Sequence, residues 1–394
     1  MSLSFNKFTT FYIIHDSETV VKRFSPKIWF FRKFFRKIWT LGIFYDRIYP
    51  KSANDSGVKQ TERDIRADIL KGYACLLVLI GHVMIGLRTS DIFVPSALQT
   101  AESFIWTFHI DLFMFLSGYV YTLTGGSTAK GSRIKFILGK LLNLGVPYLV
   151  FSVLYILVNS VTPGVNNASS VADILFLAVK PVAQYWFLYA LLWLFIIWTL
   201  LTAFLDSIKA TVIVFAVFCV CKYFGVYLGF LDSALNCALA FGLGTCTKSL
   251  DVRKIPVAVR LSFVAIHIVF TVVTLIYGFY ERFFIDDIVT VIGIFSSVCL
   301  ISVVSEAKPI ADFLGFVCKY SFPIYLLHTF FTAAVRIALL RVGITSYAIH
   351  FILGTLTGLF APILAAIVTS RTPYLDFFFY PTRSLKKIRV GKAK

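Results

Sequence analysis

Apolar stretches of roughly membrane-spanning length recur along the chain at 69–87, 104–124, 144–161, 184–204, 210–226, 229–247, 257–279, 286–304, 321–340 and 347–369, with shorter polar segments between them. A backbone surrounded by lipid must satisfy its hydrogen bonds internally, so the pattern predicts an all-α, polytopic transmembrane helical bundle of about ten spans. The stretches 144–161 and 210–226 are the least pronounced, the second because it is short and carries Lys222.

The spans do not begin until about residue 64. Between Pro26 and Pro50 the run from Lys27 to Trp39 alternates basic pairs with aromatic residues at near-helical spacing, which predicts an amphipathic helix lying on a membrane surface. It lacks an uninterrupted apolar core and a small-residue cleavage site, so it does not read as a signal peptide. A polar linker follows at 52–61. The expected organisation is a basic and aromatic region at 1–63, a membrane domain at 64–380, and a mobile, headgroup-attached basic tail at 381–394 holding Arg383, Lys386, Lys387 and Arg389. There is no internal repeat.

Composition excludes a soluble globular protein. Of 394 residues, 58% are hydrophobic, 17% aromatic and only 15% charged. The net charge of +18 is a matter of topology. One set of loops holds Lys130, Arg133, Lys135, Lys140, Lys209, Lys248, Arg253, Lys254, Lys308 and Lys319, whereas the other holds Arg88, Lys180, Arg282 and Arg341. By the positive-inside rule both termini are expected in the cytoplasm, in a bacterial inner or plasma membrane, with anionic lipid rather than nucleic acid as the partner of the charge. The seven cysteines form no Cys-x-x-Cys pair and read as packing residues; no His, Cys and carboxylate cluster has metal-ligand spacing.

Ionisable groups inside spans are the informative positions, because each is costly to bury unless paired or wet. Lys71, His82, His109, Asp111, His267, His328, Arg336 and His350 are of this kind. Lys71 and His82 are eleven residues apart, about three helical turns and roughly 16 Å along one face. His82 lies five residues from one end of its span and His109 five residues from the facing start of the next, so the two should share a depth. Asp111 then stands close enough in depth to orient an imidazole. His267 and His350 read as structural. Arg336 either snorkels or pairs with a carboxylate. His328 follows Ser321, Pro323 and Tyr325, a plausible polar lining in a loosened stretch of helix.

These residues carry a resemblance. Asp68 to His82 resembles the basic-residue, ten-residue gap, histidine motif of the acyltransferase-3 membrane enzymes, in the Asp-x-x-Lys-Gly form of their sugar O-acetyltransferase branch. The stretch from Phe108 to Tyr119 is similar to that family's second-span motif. Val146-Pro147-Tyr148, Tyr185-Trp186-Phe187-Leu188 and Ser321 through His328 resemble its later landmarks in order. What the resemblance implies is transfer of an acyl group, usually acetyl, from a coenzyme A thioester to a hydroxyl of a glycan or lipid-linked sugar, with no resident cofactor. His82 is then the expected general base, with His109 and Asp111 beside it.

Lys71, with Arg133, Lys135 and Lys140 in the next loop, is expected on the donor's phosphates. Two departures bear on that expectation: Lys71 stands where many relatives have arginine, losing the bidentate fork but keeping the charge, and 140–143 lacks the paired arginines found in some relatives. Trp186, Tyr185, Glu281, Asp286 and His328 are candidates for the acceptor sugar, although Trp and Tyr at such positions also form aromatic belts. The alternative is a secondary transporter or flippase of a lipid-linked or acylated sugar, in which the same buried groups would form a proton or substrate path. Neither the sugar nor the oligomeric state is legible.

Overall fold

The computed structural model describes residues 64–90, 92–126, 132–166, 169–280 and 284–391. The interfacial helix expected at 27–39 and the linker at 52–61 lie outside them, as does Glu281. Among the described residues, nine helices are long and apolar enough to cross a membrane, and none of the secondary structure is strand. The protein is an all-α polytopic bundle.

The central helix is α1, Ile65–Arg88. Asp64 caps it, its carboxylate accepting from the Arg66 backbone N–H at 3.0 Å and from the Tyr119 hydroxyl at 2.6 Å. Burial pushes the Asp64 carboxyl up, but those bonds and the Arg66 charge outweigh it and hold the group below its ordinary range. Next come α2 (Ser96–Trp106) and α3 (His109–Leu123), two halves of one hydrophobic stretch broken at Thr107 and Phe108. Tyr119 meets Asp64 while Trp106 meets His82, so α3 runs antiparallel to α1. One end of the bundle is thus marked by Asp64 and the other by Arg88.

The expected span 144–161 is longer than its apolar run. Ser132 caps α4 (Arg133–Lys140), which passes through a π-helical turn, Leu141–Gly145, into α5 (Val146–Val161). The wider turn leaves the helix unbroken ahead of Pro147, whose ring displaces a backbone donor. Arg133, Lys135 and Lys140 are therefore on a helix and not in a loop. A 3-10 turn, Ala183–Tyr185, leads into α6 (Trp186–Leu201), followed by α7 (Ser207–Phe224).

The stretch 229–247 is broken. It folds as a 3-10 turn, then α8 (Asp232–Asn236) and α9 (Ala238–Cys246), because Asp232 and Asn236 interrupt the apolar run. It still crosses the bundle: the Cys237 thiol bonds Asp111, Thr122 donates to the Thr245 carbonyl at 2.9 Å, and beyond it Asp251 pairs with Arg66 at 2.8 Å. Glycines make the crossing possible. A Cβ on Gly244 would lie 2.0 Å from the Phe115 carbonyl oxygen, and one on Gly118 would lie 2.0 Å from that of Phe241. Close backbone approach through small residues is how helices associate without a hydrophobic drive between them.

The remainder comprises α10 (Val257–Ile276), α11 (Ile285–Val304), α12 (Lys308–Lys319), α13 (Ser321–Arg341) and α14 (Tyr347–Thr369). The short α12 seats on α1, where Gly72 leaves room for the Leu314 backbone. Its neighbour α13 runs parallel to α1: Ser321 meets Cys75, His328 meets His82, and Arg336 meets Gly86. Gly354 and Gly358 of α14 pack against Val83 and Leu79, an antiparallel fit.

The expectation of a mobile tail is corrected within the described residues. After α15 (Pro373–Phe379), α16 (Pro381–Gly391) docks back at the Asp64 end. Asp376, 1% exposed, accepts from Arg383 Nε at 3.1 Å, Ser384 Oγ at 3.0 Å and Lys387 Nζ at 3.4 Å, while Thr382 Oγ1 donates to Asn143 at 2.8 Å. Burial raises the Asp376 carboxyl, but these bonds and charges outweigh it and hold the group below its ordinary range. Docking of α16 is therefore at full strength above the unfolded carboxylate value of about 3.9 and weakens as pH falls through the lower folded value. Limited proteolysis should cut the tail faster at acid pH, and faster at neutral pH in Asp376→Asn; equal rates in variant and parent would remove this carboxylate from the docking.

Candidate functional site

Three imidazoles gather toward the Arg88 end of the bundle, each delivered by a different helix. The His82 and His328 rings lie 4.9 Å apart, and Trp106 stands between His82, at 5.3 Å, and His109, at 4.8 Å, meeting both edge-on. Local structure explains each position. His109 is the first residue of α3, just past the α2 break, and its Nδ1 bonds the Ile105 carbonyl across that break at 2.8 Å. His328 Nδ1 bonds the Ile324 carbonyl at 2.8 Å and the Tyr325 carbonyl at 3.0 Å. Gly358 of α14 allows the close approach that holds this turn of α13 against α1.

Those bonds determine the tautomers. A carbonyl oxygen only accepts, so Nδ1 carries the proton in both neutral rings and Nε2 is left as a lone-pair acceptor. Both residues are 0% exposed, and neither Nε2 has a hydrogen-bond partner. His82 differs: it is partly accessible and is held by ring packing. The group therefore holds two buried acceptor nitrogens next to one partly accessible imidazole.

The structure separates Asp111 from this group. Residues two apart on a helix point about 200° away from each other, and Asp111 faces Cys237, Asp286 and Asp287 rather than His109. It does not orient an imidazole. Asp286 is likewise engaged, pairing with Lys222 Nζ at 3.0 Å, as does Asp287. Tyr185 is corrected too. It is wholly buried, and its hydroxyl donates to the Leu326 carbonyl at 2.8 Å, so its ring is packing and not a free sugar platform. Trp186 follows it, half-buried. Lys71 is exposed near the Asp64 end, on the helix that carries His82. Lys140 Nζ sits 3.5 Å from the centre of the Phe195 ring, a cation–π contact, and Arg133 is exposed. As expected, His267 and His350 pack structurally: His267 Nδ1 meets Ser296 Oγ at 3.2 Å and His350 Nε2 bonds the Ile344 carbonyl at 2.8 Å.

Two further contributors are Trp106 and Gln184. Trp106 ends α2 and His109 opens α3, so it is the break at Thr107 and Phe108 that brings their rings together. Gln184, buried, donates to Thr329 at 2.7 Å while its carbonyl accepts from Tyr325 at 2.6 Å, one residue past a left-handed Ala183 at φ 44°. Strain of that kind persists only where the surroundings hold it. No sequence signal marks it.

One relative is the nodulation protein NolL of Sinorhizobium fredii, 29% identical over 162 residues; the match spans 41% of this chain and 42% of that protein, so well under two thirds of either. No solved structure is matched. Residues 64–371 match the family model described as an acyltransferase domain, and this covers all three histidines. The chain belongs to that acyltransferase-3 family and is an integral membrane member of it.

Proposed function

We propose that the protein is a membrane O-acyltransferase that moves an acetyl or other short acyl group from cytoplasmic acyl-CoA to a hydroxyl of a lipid-linked or surface glycan, with His82 as general base. The observation that carries this reading is the convergence of His82 with two buried imidazoles of defined tautomer. A hydroxyl is a poor nucleophile at neutral pH, and a positioned imidazole is its usual base. In the proposed step His82 takes the hydroxyl proton as the oxygen attacks the thioester carbonyl. The tetrahedral intermediate then expels the thiolate, which recovers that proton from His82. In this reading the unprotonated Nε2 of His328, whose ring lies 4.9 Å from that of His82, takes a hydrogen bond from the His82 imidazolium formed in that step.

Lys71 supplies the donor end. With the Asp64 end facing the cytoplasm, its ammonium meets the phosphates of coenzyme A while the pantetheine arm rises about 16 Å along α1 to His82. Removing one charged contact to phosphate costs about 1.5–3 kcal/mol, so Lys71→Ala should raise the donor KM roughly 10- to 100-fold. Lys71→Arg should stay close to the parent. Equal donor affinity in all three proteins would remove the anchor.

The test of the function itself uses the purified chain in liposomes with acetyl-labelled acetyl-CoA and candidate lipid-linked sugars. Label appearing covalently on the sugar supports the enzyme. Movement of unmodified sugar across the bilayer, with no label transfer, supports the transporter and overturns the proposal.

A further inference from the structure

Arg336 is a buried cation with no carboxylate partner among the described residues. It is 7% exposed on α13, two turns beyond His328, and its Nη1 donates to the Gly86 carbonyl at 2.7 Å. Its Nε is buried without a hydrogen-bond partner, and no carboxylate lies within 4 Å of it among the described residues. Other arginines find a carboxylate: the buried Arg260 reaches Glu306 at 3.9 Å, and the exposed Arg88 and Arg383 pair with Glu102, at 2.9 and 3.0 Å, and with Asp376. Among the described residues Arg336 therefore pairs with no carboxylate, one of the two outcomes its sequence context suggested.

A guanidinium cannot shed its charge, so it cannot escape burial by neutralising itself as a lysine can. It carries five N–H donors, and the Gly86 carbonyl, in the last turn of α1, occupies one. The surroundings are polar and near the surface at the Arg88 end. Asn166 Nδ2 donates to the same Gly86 carbonyl at 3.1 Å and also bonds Thr89 Oγ1. The turn at Gly164 approaches Ile337, laying the loop after α5 over this part of α13. The Tyr155 hydroxyl is the remaining electrostatic neighbour.

We propose that Arg336 forms the floor of an oxyanion-binding site at the Arg88 end of the bundle, built to take a phosphate or carboxylate group. A planar fork with free donors suits either anion bidentately. Eight residues separate Arg336 from His328, about 12 Å along the helix. An anionic group held there would fix the far part of a substrate whose hydroxyl sits at the histidines. The binding site itself does not depend on acyl transfer, and its test needs no turnover.

The full chain in neutral detergent is melted with decyl phosphate, decanoate or decanol, with unfolding read by a thiol-reactive dye on the buried cysteines. Decyl phosphate or decanoate should raise the melting temperature by about 2–4 °C over decanol. The rise should vanish in Arg336→Gln and survive in part in Arg336→Lys, which keeps the charge but not the fork. Nanodiscs of phosphatidylglycerol against phosphatidylcholine then identify the source: extra stability in the former assigns the site to a lipid headgroup, and none assigns it to a non-bilayer anion. The same shift with decanol as with both anions overturns the proposal. So does an anion response undiminished in Arg336→Gln or, should that variant fail to fold, undiminished in Arg336→Lys.

Discussion

Gly244→Val should destabilise the protein by about 3 kcal/mol or more and sharply reduce the fraction that stays monodisperse in detergent. The reason is geometric. A first side-chain carbon at 244 would lie 2.0 Å from the Phe115 carbonyl oxygen and 2.8 Å from the Tyr119 amide nitrogen, both backbone atoms of a packed helix. Neither can turn aside as a flexible side chain can. To make room, α9 must back away from α3, opening the contact that also holds Thr122 to Thr245 and Trp198 to Thr245. A control lies in α4: nothing stands within 4 Å of a Cβ on Gly139, so Gly139→Ala should be neutral or slightly stabilising. Thermal melting of the two variants against the parent checks the pair. Parental stability in Gly244→Val would mean that α3 and α9 are not packed as described.

His82→Ala should lower acyl transfer by about 10²- to 10⁴-fold, the range expected when a general base is removed. The folded state should survive, because His82 is held by ring contacts to Trp106 and His328 and its loss leaves a small, partly accessible gap. His267→Ala is the matched control. That imidazole is also buried in a span, between Phe104 and Phe108, but it lies outside the His82 group, so its variant should keep most of the parental rate once corrected for folded protein. Comparable losses in both variants would point to a packing effect common to buried histidines rather than to base chemistry.

The nearness of His82 and His109 was legible from numbering alone. Each stands five residues from the facing end of its apolar stretch in the sequence, and the structure places them on either side of Trp106. Span existence was also legible, because hydrophobic length is a strong signal in a chain solvated by lipid. Direction around a helix was harder. Asp111 shares the depth of His109, yet the 200° between them turns it toward Cys237, Asp286 and Asp287. That angle could have been read from the spacing. Other features depend on distant partners and leave no local trace. Tyr185 resembled a boundary aromatic until its hydroxyl met the Leu326 carbonyl, and Asp286 resembled a free carboxylate until Lys222 reached it from another helix. The extended helix through 133–161 rests on a π-helical turn that carries it past Lys140 and Asn143, and the docked tail rests on Asp376, whose partners lie up to eleven residues further along.

The central claim is that His82 performs chemistry rather than donor binding. Its most direct test is to load parent and His82→Ala proteins, in the same liposome preparation, with labelled acetyl-CoA and to measure bound donor and transferred label in one experiment. Donor bound equally by both, with label reaching the acceptor hydroxyl only in the parent, is the predicted result. Transfer at the parental rate in His82→Ala, with donor bound as before, would contradict it.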